Sequence, residues 1–345
     1  MISLNGLRGD DTFVKIAKSK LKDFLRYIME NYALYAPVKN KVSSFERVED
    51  PSQICLLPNR TEISPKPIFL PPKESLFRWK KVEDGYIIED CLNGKEKKVI
   101  FGARGCDVAS LKILDLYMME VSDPYYASRR KETIIIGITC EYPRESCFCT
   151  AFGGMIPDEY DLWLTDIGDY YFVDIGSEKG KELASMELFE KASPEDEERK
   201  RKKIERTEQE IRKMAKIELE GYQDMEDKFE DRIWEELGDT CLSCGRCNLI
   251  CPTCHCFDVR DITNLDGSAG ERIRVWDSCH LLDFAKTCAE NFRKDRYARV
   301  RYRIYDKFVF SVKRYNLYAC VGCGRCIDSC HAGIDIRDVL RRLIR

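Results

Sequence analysis

The sequence predicts a mixed α/β protein: an N-terminal α/β domain with a partly parallel sheet, a charged helical linker, and a C-terminal ferredoxin-like two-[4Fe–4S] domain carrying a long insertion. Three observations predict it. Two apolar runs, Val99–Gly102 and Thr133–Thr139, flank a helical pattern, the mark of a βαβ unit in a buried parallel sheet. A dense run of Glu, Lys and Arg follows Ser193. Near the C-terminus the spacing C-x2-C-x2-C-x3-C occurs twice, once from Cys241 to Cys251 and once from Cys320 to Cys330. The expected boundaries are 1–190, 191–237 and 238–345, with the insertion at 257–316.

A chain of 345 residues with 44% hydrophobic content can bury more than one core. No apolar run approaches the ~18 residues of a membrane helix. The first ten residues lack a basic segment followed by an apolar stretch, so a cytoplasmic protein with no transmembrane segment is expected. Eighteen cysteines then point to metal ligation in a reducing compartment, not to a disulfide scaffold.

Residues 12–35 carry apolar positions at helical spacing and predict one amphipathic helix. The proline-rich stretch to about 75 predicts extended loops with short strands. Cys55 and Cys91 stand alone there and are expected to be ordinary packed residues. In the βαβ unit, strand 99–102, helix 108–119 and strand 133–139 bring Cys106 and Cys140 to the same C-terminal sheet edge, where open α/β sheets place ligands. Cys147 and Cys149 follow within a short loop, so four thiols converge on one rim. A third [4Fe–4S] site at Cys106, Cys140, Cys147 and Cys149 is therefore expected. The alternatives are buried structural thiols, or a rival site at Cys254, Cys256 and Cys279, which number three unless Cys288 or a histidine joins them. Residues 161–165 and 170–175 predict a strand pair across a turn. Ser193-Pro194-Glu195-Asp196 starts a helix, with Ser as N-cap and Pro at the first position. Its charges read as a solvated face, or as an arm that clasps another subunit. Residues 334–344 predict a closing amphipathic helix.

The two four-cysteine runs have the ferredoxin spacing for cubane ligation. A zinc ribbon would use two separated C-x2-C pairs, and neither run splits that way. In two-cluster ferredoxins the fourth cysteine of each run crosses to the other cluster. On that rule Cys241, Cys244, Cys247 and Cys330 hold one cluster, and Cys320, Cys323, Cys326 and Cys251 hold the other. The basic, aromatic stretch Arg293 to Arg303 could serve RNA binding, but between cluster runs it is expected to offset cluster charge. No G-x-G-x-x-G or Walker motif is present, and histidine occurs only at 255, 280 and 331.

Several motifs carry a family resemblance: Phe101-Gly-Ala-Arg-Gly-Cys106-Asp107, Asp123-Pro-Tyr-Tyr126, Arg129-Arg130, Cys147-Phe-Cys149, Cys251-Pro-Thr-Cys254-His-Cys256 and Asp277-Ser-Cys279. From about residue 30 onward the chain resembles the dicluster iron–sulfur electron-transfer subunit family. Members include the beta subunit of archaeal NAD(P)-linked nickel–iron hydrogenases (sulfhydrogenases) and the corresponding iron–sulfur subunit of anaerobic sulfite reductase. The resemblance implies an electron relay, not catalytic alone, in a hetero-oligomer. Its partners would be a flavin-containing NAD(P)H-binding subunit and a catalytic subunit, with no nucleic acid. Recurrence of the C-x-C pair in the family adds support for the third cluster. One departure is His331, where proline usually follows the last cysteine.

Overall fold

The computed structural model describes residues 13–92, 96–217, 219 and 225–344. Contacts divide the chain into two discontinuous units. One comprises residues up to 65 with 96–109 and 132–214; the other comprises 66–95, 110–131 and 215–345. The first runs from β1 (Phe13–Ala17) through α1 (Leu21–Asn31), β2 (Ala33–Lys39) and β3 (Ser43–Arg47). Strands β4 (Lys73–Val82) and β5 (Gly85–Asp90) belong to the second unit. The chain then gives the first unit β6 (Lys98–Ala103), β7 (Thr133–Ile138), β8 (Leu162–Asp166), β9 (Tyr170–Ile175) and β10 (Phe189–Lys191). Helices α2 (Gly105–Glu120) and α3 (Pro124–Lys131) lie between β6 and β7 in sequence.

In the first unit the eight strands are ordered β10-β1-β9-β8-β7-β6-β2-β3. Pairs β2–β6, β6–β7 and β7–β8 are parallel, the β6–β7 pair being the one the βαβ pattern predicted. Every residue of β6 and β7 is buried, which explains why both read as continuous apolar runs. Val99, Phe101, Ile134 and Ile136 form the core with Phe24, Leu25 and Ile28 of α1. Gly137 admits Trp163 against the strand: a Cβ there would lie 2.1 Å from the indole ring. The pair β8–β9 is the expected antiparallel hairpin.

The single helix expected over 12–35 is not formed. Only Leu21–Asn31 is α-helical, between strands 13–17 and 33–39. Val14 and Ile16 are β-branched and pair with Val173 and Tyr171 of β9. Sheet pairing overrides a helical periodicity that a few residues can satisfy by chance.

The charged helix α4 (Pro194–Ala215) starts where expected. Ser193 N donates to Asp196 Oδ2 at 3.0 Å, and Asp196 N donates back to Ser193 Oγ at 3.3 Å. Thr207 and Ile211 are buried, Lys200 pairs with Asp174, and Lys203 pairs with Glu141 at 2.6 Å. Residues 194–214 therefore pack with the α/β unit, whereas the sequence suggested a spacer.

In the second unit β11 (Phe257–Thr263), β12 (Ala269–Trp276), β4 and β5 form an antiparallel sheet in the order β11-β12-β4-β5. The insertion thus begins as a hairpin that recruits strands from far upstream. Buried Arg274 pairs with Glu74 at 2.5 Å and with Asp123, and Arg129 also pairs with Glu74. Helices α5 (Ile233–Thr240), α6 (Arg246–Leu249), α7 (Arg296–Tyr305), α8 (Arg325–Asp328) and α9 (Ile336–Leu343) complete the unit. On α9 the buried set Ile336, Val339, Leu340 and Leu343 follows helical spacing, and Asp335 caps the start by accepting from Arg337 N at 2.8 Å. Among the described residues no helix is long and apolar enough to cross a membrane.

Candidate metal centre

The two four-cysteine runs are local repeats. Gly245 and Gly324 take left-handed φ values of 71° and 72°, and each opens a four-residue helix, α6 or α8. Glycine adopts this conformation without a Cβ penalty, so each loop turns tightly around its first cysteines. Ser243 N donates to Cys241 Sγ at 3.3 Å, and Gly322 N donates to Cys320 Sγ at 3.5 Å. Ile334 N donates to Cys330 Sγ at 3.3 Å. Amides aimed at sulfur favour its anionic, metal-ligating form.

Cys241, Cys244, Cys247, Cys326 and Cys330 line one cavity, walled by apolar residues including Val300, Ile304 and Val339. Burial raises the thiol of Cys320, with Cys326 and Cys251 adding to the rise. Burial pushes Cys326 up to about 12, where Arg303 opposes the rise and Cys323 and Cys251 add to it. Cys251 is thus a charge neighbour of Cys320 and Cys326, and Cys330 of Cys247. His331, at the position where proline is usual, accepts from Arg246 Nη1 at 2.7 Å and ties the runs together.

Thiolates at such depth need compensating charge, and buried cations supply it. Burial works against the charge of Arg303, yet Cys247, Cys326, Cys254 and Cys251 hold its pKa well above the ordinary arginine value. Arg303 Nε donates to Asn248 Oδ1 at 2.6 Å. One turn on, Lys307 is buried against Cys251, Cys254 and Cys320 and donates to Thr253 Oγ1 at 2.9 Å. Lys66 Nζ lies 3.8 Å above the Trp276 ring and donates to the carbonyls of Leu249 and Cys254. Burial, with Arg303 and Arg299, pushes His280 down to about 3, so its imidazole is neutral. Its Nδ1 lies 3.8 Å from Cys241 Sγ, while its Nε2 is buried with no hydrogen-bond partner among the described residues.

Soft sulfur donors, amides directed at sulfur, apolar walls and buried cations fit a [4Fe–4S] cluster in chemistry and charge. Among the described residues no three His, Cys, Asp or Glu side chains converge closely enough for a single metal ion. A cubane instead takes one thiolate at each of four separate irons.

In the α/β unit Cys106 begins α2 just after β6, and Cys140 follows β7. Burial pushes Cys140 up to about 11, with Arg104 opposing and Cys147 adding. Burial also raises Cys149 well above its ordinary value, and Cys147 and Cys140 add to that rise. These three thiols thus share one environment, and Cys106 is buried on the same sheet edge. Buried Arg104 donates to Thr139 O at 2.6 Å, and buried Arg60 donates to Ser146 Oγ at 3.3 Å. The glycine at 105 lets the helix start meet the loop, since a Cβ would fall 1.7 Å from Met155 O.

The basic stretch is spent internally. Arg299 and Arg303 are buried, Arg293 stacks 3.9 Å from the Tyr302 ring, and Arg301 stacks 3.8 Å from the Phe229 ring. Cys55 and Cys91 are half-buried and Cys288 is exposed. Asn248, Lys66 and Lys307 were missed by sequence reasoning. Nothing local marks them, because their roles come from contacts with distant cysteines.

Residues 240–334 match the 4Fe-4S dicluster domain family. The chain is 34% identical over 337 residues to sulfhydrogenase 2 subunit beta of Pyrococcus furiosus, covering 95% of this chain and 97% of that protein. No solved structure matches it.

Replacing Arg303 removes a positive charge that favours the more anionic, reduced form of nearby clusters. Arg303→Gln should lower the midpoint potentials of both ferredoxin-type centres by on the order of tens of millivolts. Redox titration followed by EPR checks this; unchanged potentials with iron retained would show that the guanidinium does not act on them.

Proposed function

The chain belongs to the sulfhydrogenase beta-subunit family of dicluster iron–sulfur proteins, and from that premise we propose that it is the electron-relay subunit of a multi-subunit hydrogenase. The carrying observation is that cysteines of both runs, Cys247, Cys251 and Cys326, stand around one buried Arg303. Cys241, Cys244, Cys247 and Cys330 hold one [4Fe–4S] cluster; Cys320, Cys323, Cys326 and Cys251 hold the second. Bound clusters supply one-electron storage, with potentials set by net charge, hydrogen bonds to sulfur and exposure. The chain's own residues do the rest. The thiolates hold the clusters, Arg303 and Lys307 offset their charge, the Ser243 and Gly322 amides direct hydrogen bonds at sulfur, and Val300, Ile304 and Val339 exclude water.

The partners in this reading are a flavin-bearing NAD(P)H-using subunit and a nickel–iron catalytic subunit. The similarity to a sulfhydrogenase beta subunit along nearly the whole chain supports that assembly. A cytoplasmic location suits eighteen thiols, which a reducing compartment keeps available for ligation. Cys106, Cys140, Cys147 and Cys149 hold a third [4Fe–4S] cluster, supported by their common rim and by the flanking Arg60 and Arg104.

The reconstituted chain alone should accept electrons from dithionite yet fail to reduce dye with NADPH or hydrogen until partner subunits are added; robust NADPH-dependent dye reduction by the pure chain would contradict the relay role. Cys251→Ala should perturb the centre of Cys320, Cys323 and Cys326 in EPR and Mössbauer spectra. Damage confined to the centre of Cys241, Cys244 and Cys247 would overturn the crossed ligation. The double variant Cys140→Ala/Cys149→Ala should lose about four irons per chain, and iron analysis equal to the parent would leave those thiols structural.

A further inference from the structure

The cluster-bearing unit contains three more cysteines that neither four-cysteine run uses. We propose that Cys254, Cys256 and Cys279 hold a further iron–sulfur centre at the open end of the β11–β12 hairpin, distinct from the two ferredoxin-type clusters and from the α/β-unit site.

The backbone builds this site. Phe257 pairs with Trp276 at the end of the ladder. Asp277 N then donates to Cys256 O at 3.0 Å, which extends the pairing by one residue. One arm thus carries the C-x-C pair and the other carries Cys279 to the same end of the hairpin. Buried Asn248 spans them: its Nδ2 donates to Cys279 Sγ at 3.0 Å, and Cys254 Sγ donates to its Oδ1 at 3.8 Å. Cys256 and Cys279 are hydrogen-bond neighbours, and that bond is the largest cause of the raised Cys279 thiol. The three sulfurs therefore form one group, assembled from a loop, a hairpin end and a turn.

Charge is the second observation. Besides Arg303 and Lys307, which also face the ferredoxin-type runs, buried Lys66 comes from far upstream and faces Cys254. Among the thiols facing Lys66, Cys254 acts more strongly than Cys251, and Cys256 also takes part. Bringing three cations into the interior is costly unless anions balance them. Metal-bound thiolates are the anionic form that cysteine offers at such a position. As metal–sulfur bonds form, the thiol protons leave to solvent. An all-sulfur donor group is the kind that an iron–sulfur core takes. Cys247 has Cys279 among its charge neighbours, and Cys251 bonds with Cys254. The added centre would sit against both ferredoxin-type clusters.

The test is a difference measurement on the full chain, reconstituted anaerobically with iron and sulfide. Cys256→Ser/Cys279→Ser should lose about three to four irons and a matching amount of acid-labile sulfide relative to the parent. The EPR signals of the two ferredoxin-type clusters should remain, and Cys288→Ser, at an exposed thiol, should lose nothing. Equal iron and sulfide in parent and double variant, or loss of zinc in place of iron, overturns the proposal. Should the double variant fail to fold, 57Fe Mössbauer quantification of the parent against Cys254→Ser decides in the same way: a matching deficit supports the centre and equal spectra overturn it. A parent that binds no iron at all would count against the relay reading itself.

Discussion

The placement of negative charge inside protein governs the cluster-bearing unit. Burial pushes the thiols of Cys247, Cys320 and Cys326 towards the neutral form. Arg303 and Lys307, one turn apart along the α7 segment, meet this cost. Arg303 faces Cys247 of one run, Cys251 and Cys326 of the other set, and Cys254. In the proposed relay it is a shared counter-charge for neighbouring centres, which reduces their repulsion when both are reduced. The cations and the cysteines depend on each other, since neither is stable in that interior alone.

The same logic recurs in the α/β unit with different parts. There the parallel strands deliver Cys106 and Cys140 to one edge by geometry alone, and Arg60 and Arg104 flank the thiols. Both units pair a rigid scaffold edge with buried guanidinium. Arginine suits this task because its planar fork stays charged and satisfies several carbonyls at once, as Arg104 does with Ile138 and Thr139.

Much of this was legible from residue order. The twin cysteine spacing marked the dicluster domain, and the continuous apolar runs marked the parallel strands, because strands buried on both faces leave no room for polar alternation. Of the Arg293–Arg303 stretch, whose charge was expected to offset the clusters, Arg303 faces the cysteines while Arg293 and Arg301 stack on Tyr302 and Phe229. The N-terminal helix was misread because Val14 and Ile16 fit helical spacing locally, while their pairing with β9 lies over 150 residues away in sequence. The recruitment of 73–90 into the sheet of the hairpin was invisible for the same reason. Asn248, Lys66 and Lys307 are defined only by their tertiary neighbours.

The central claim is that two crossed [4Fe–4S] clusters share one interior around Arg303. EPR spectroscopy of the dithionite-reduced full chain tests it most directly. Two centres whose ligand sets interlock should interact magnetically, giving a broadened composite spectrum that simplifies when only one centre is reduced. A colourless, zinc-loaded chain with no such spectrum, or two independent signals without interaction, would contradict the account.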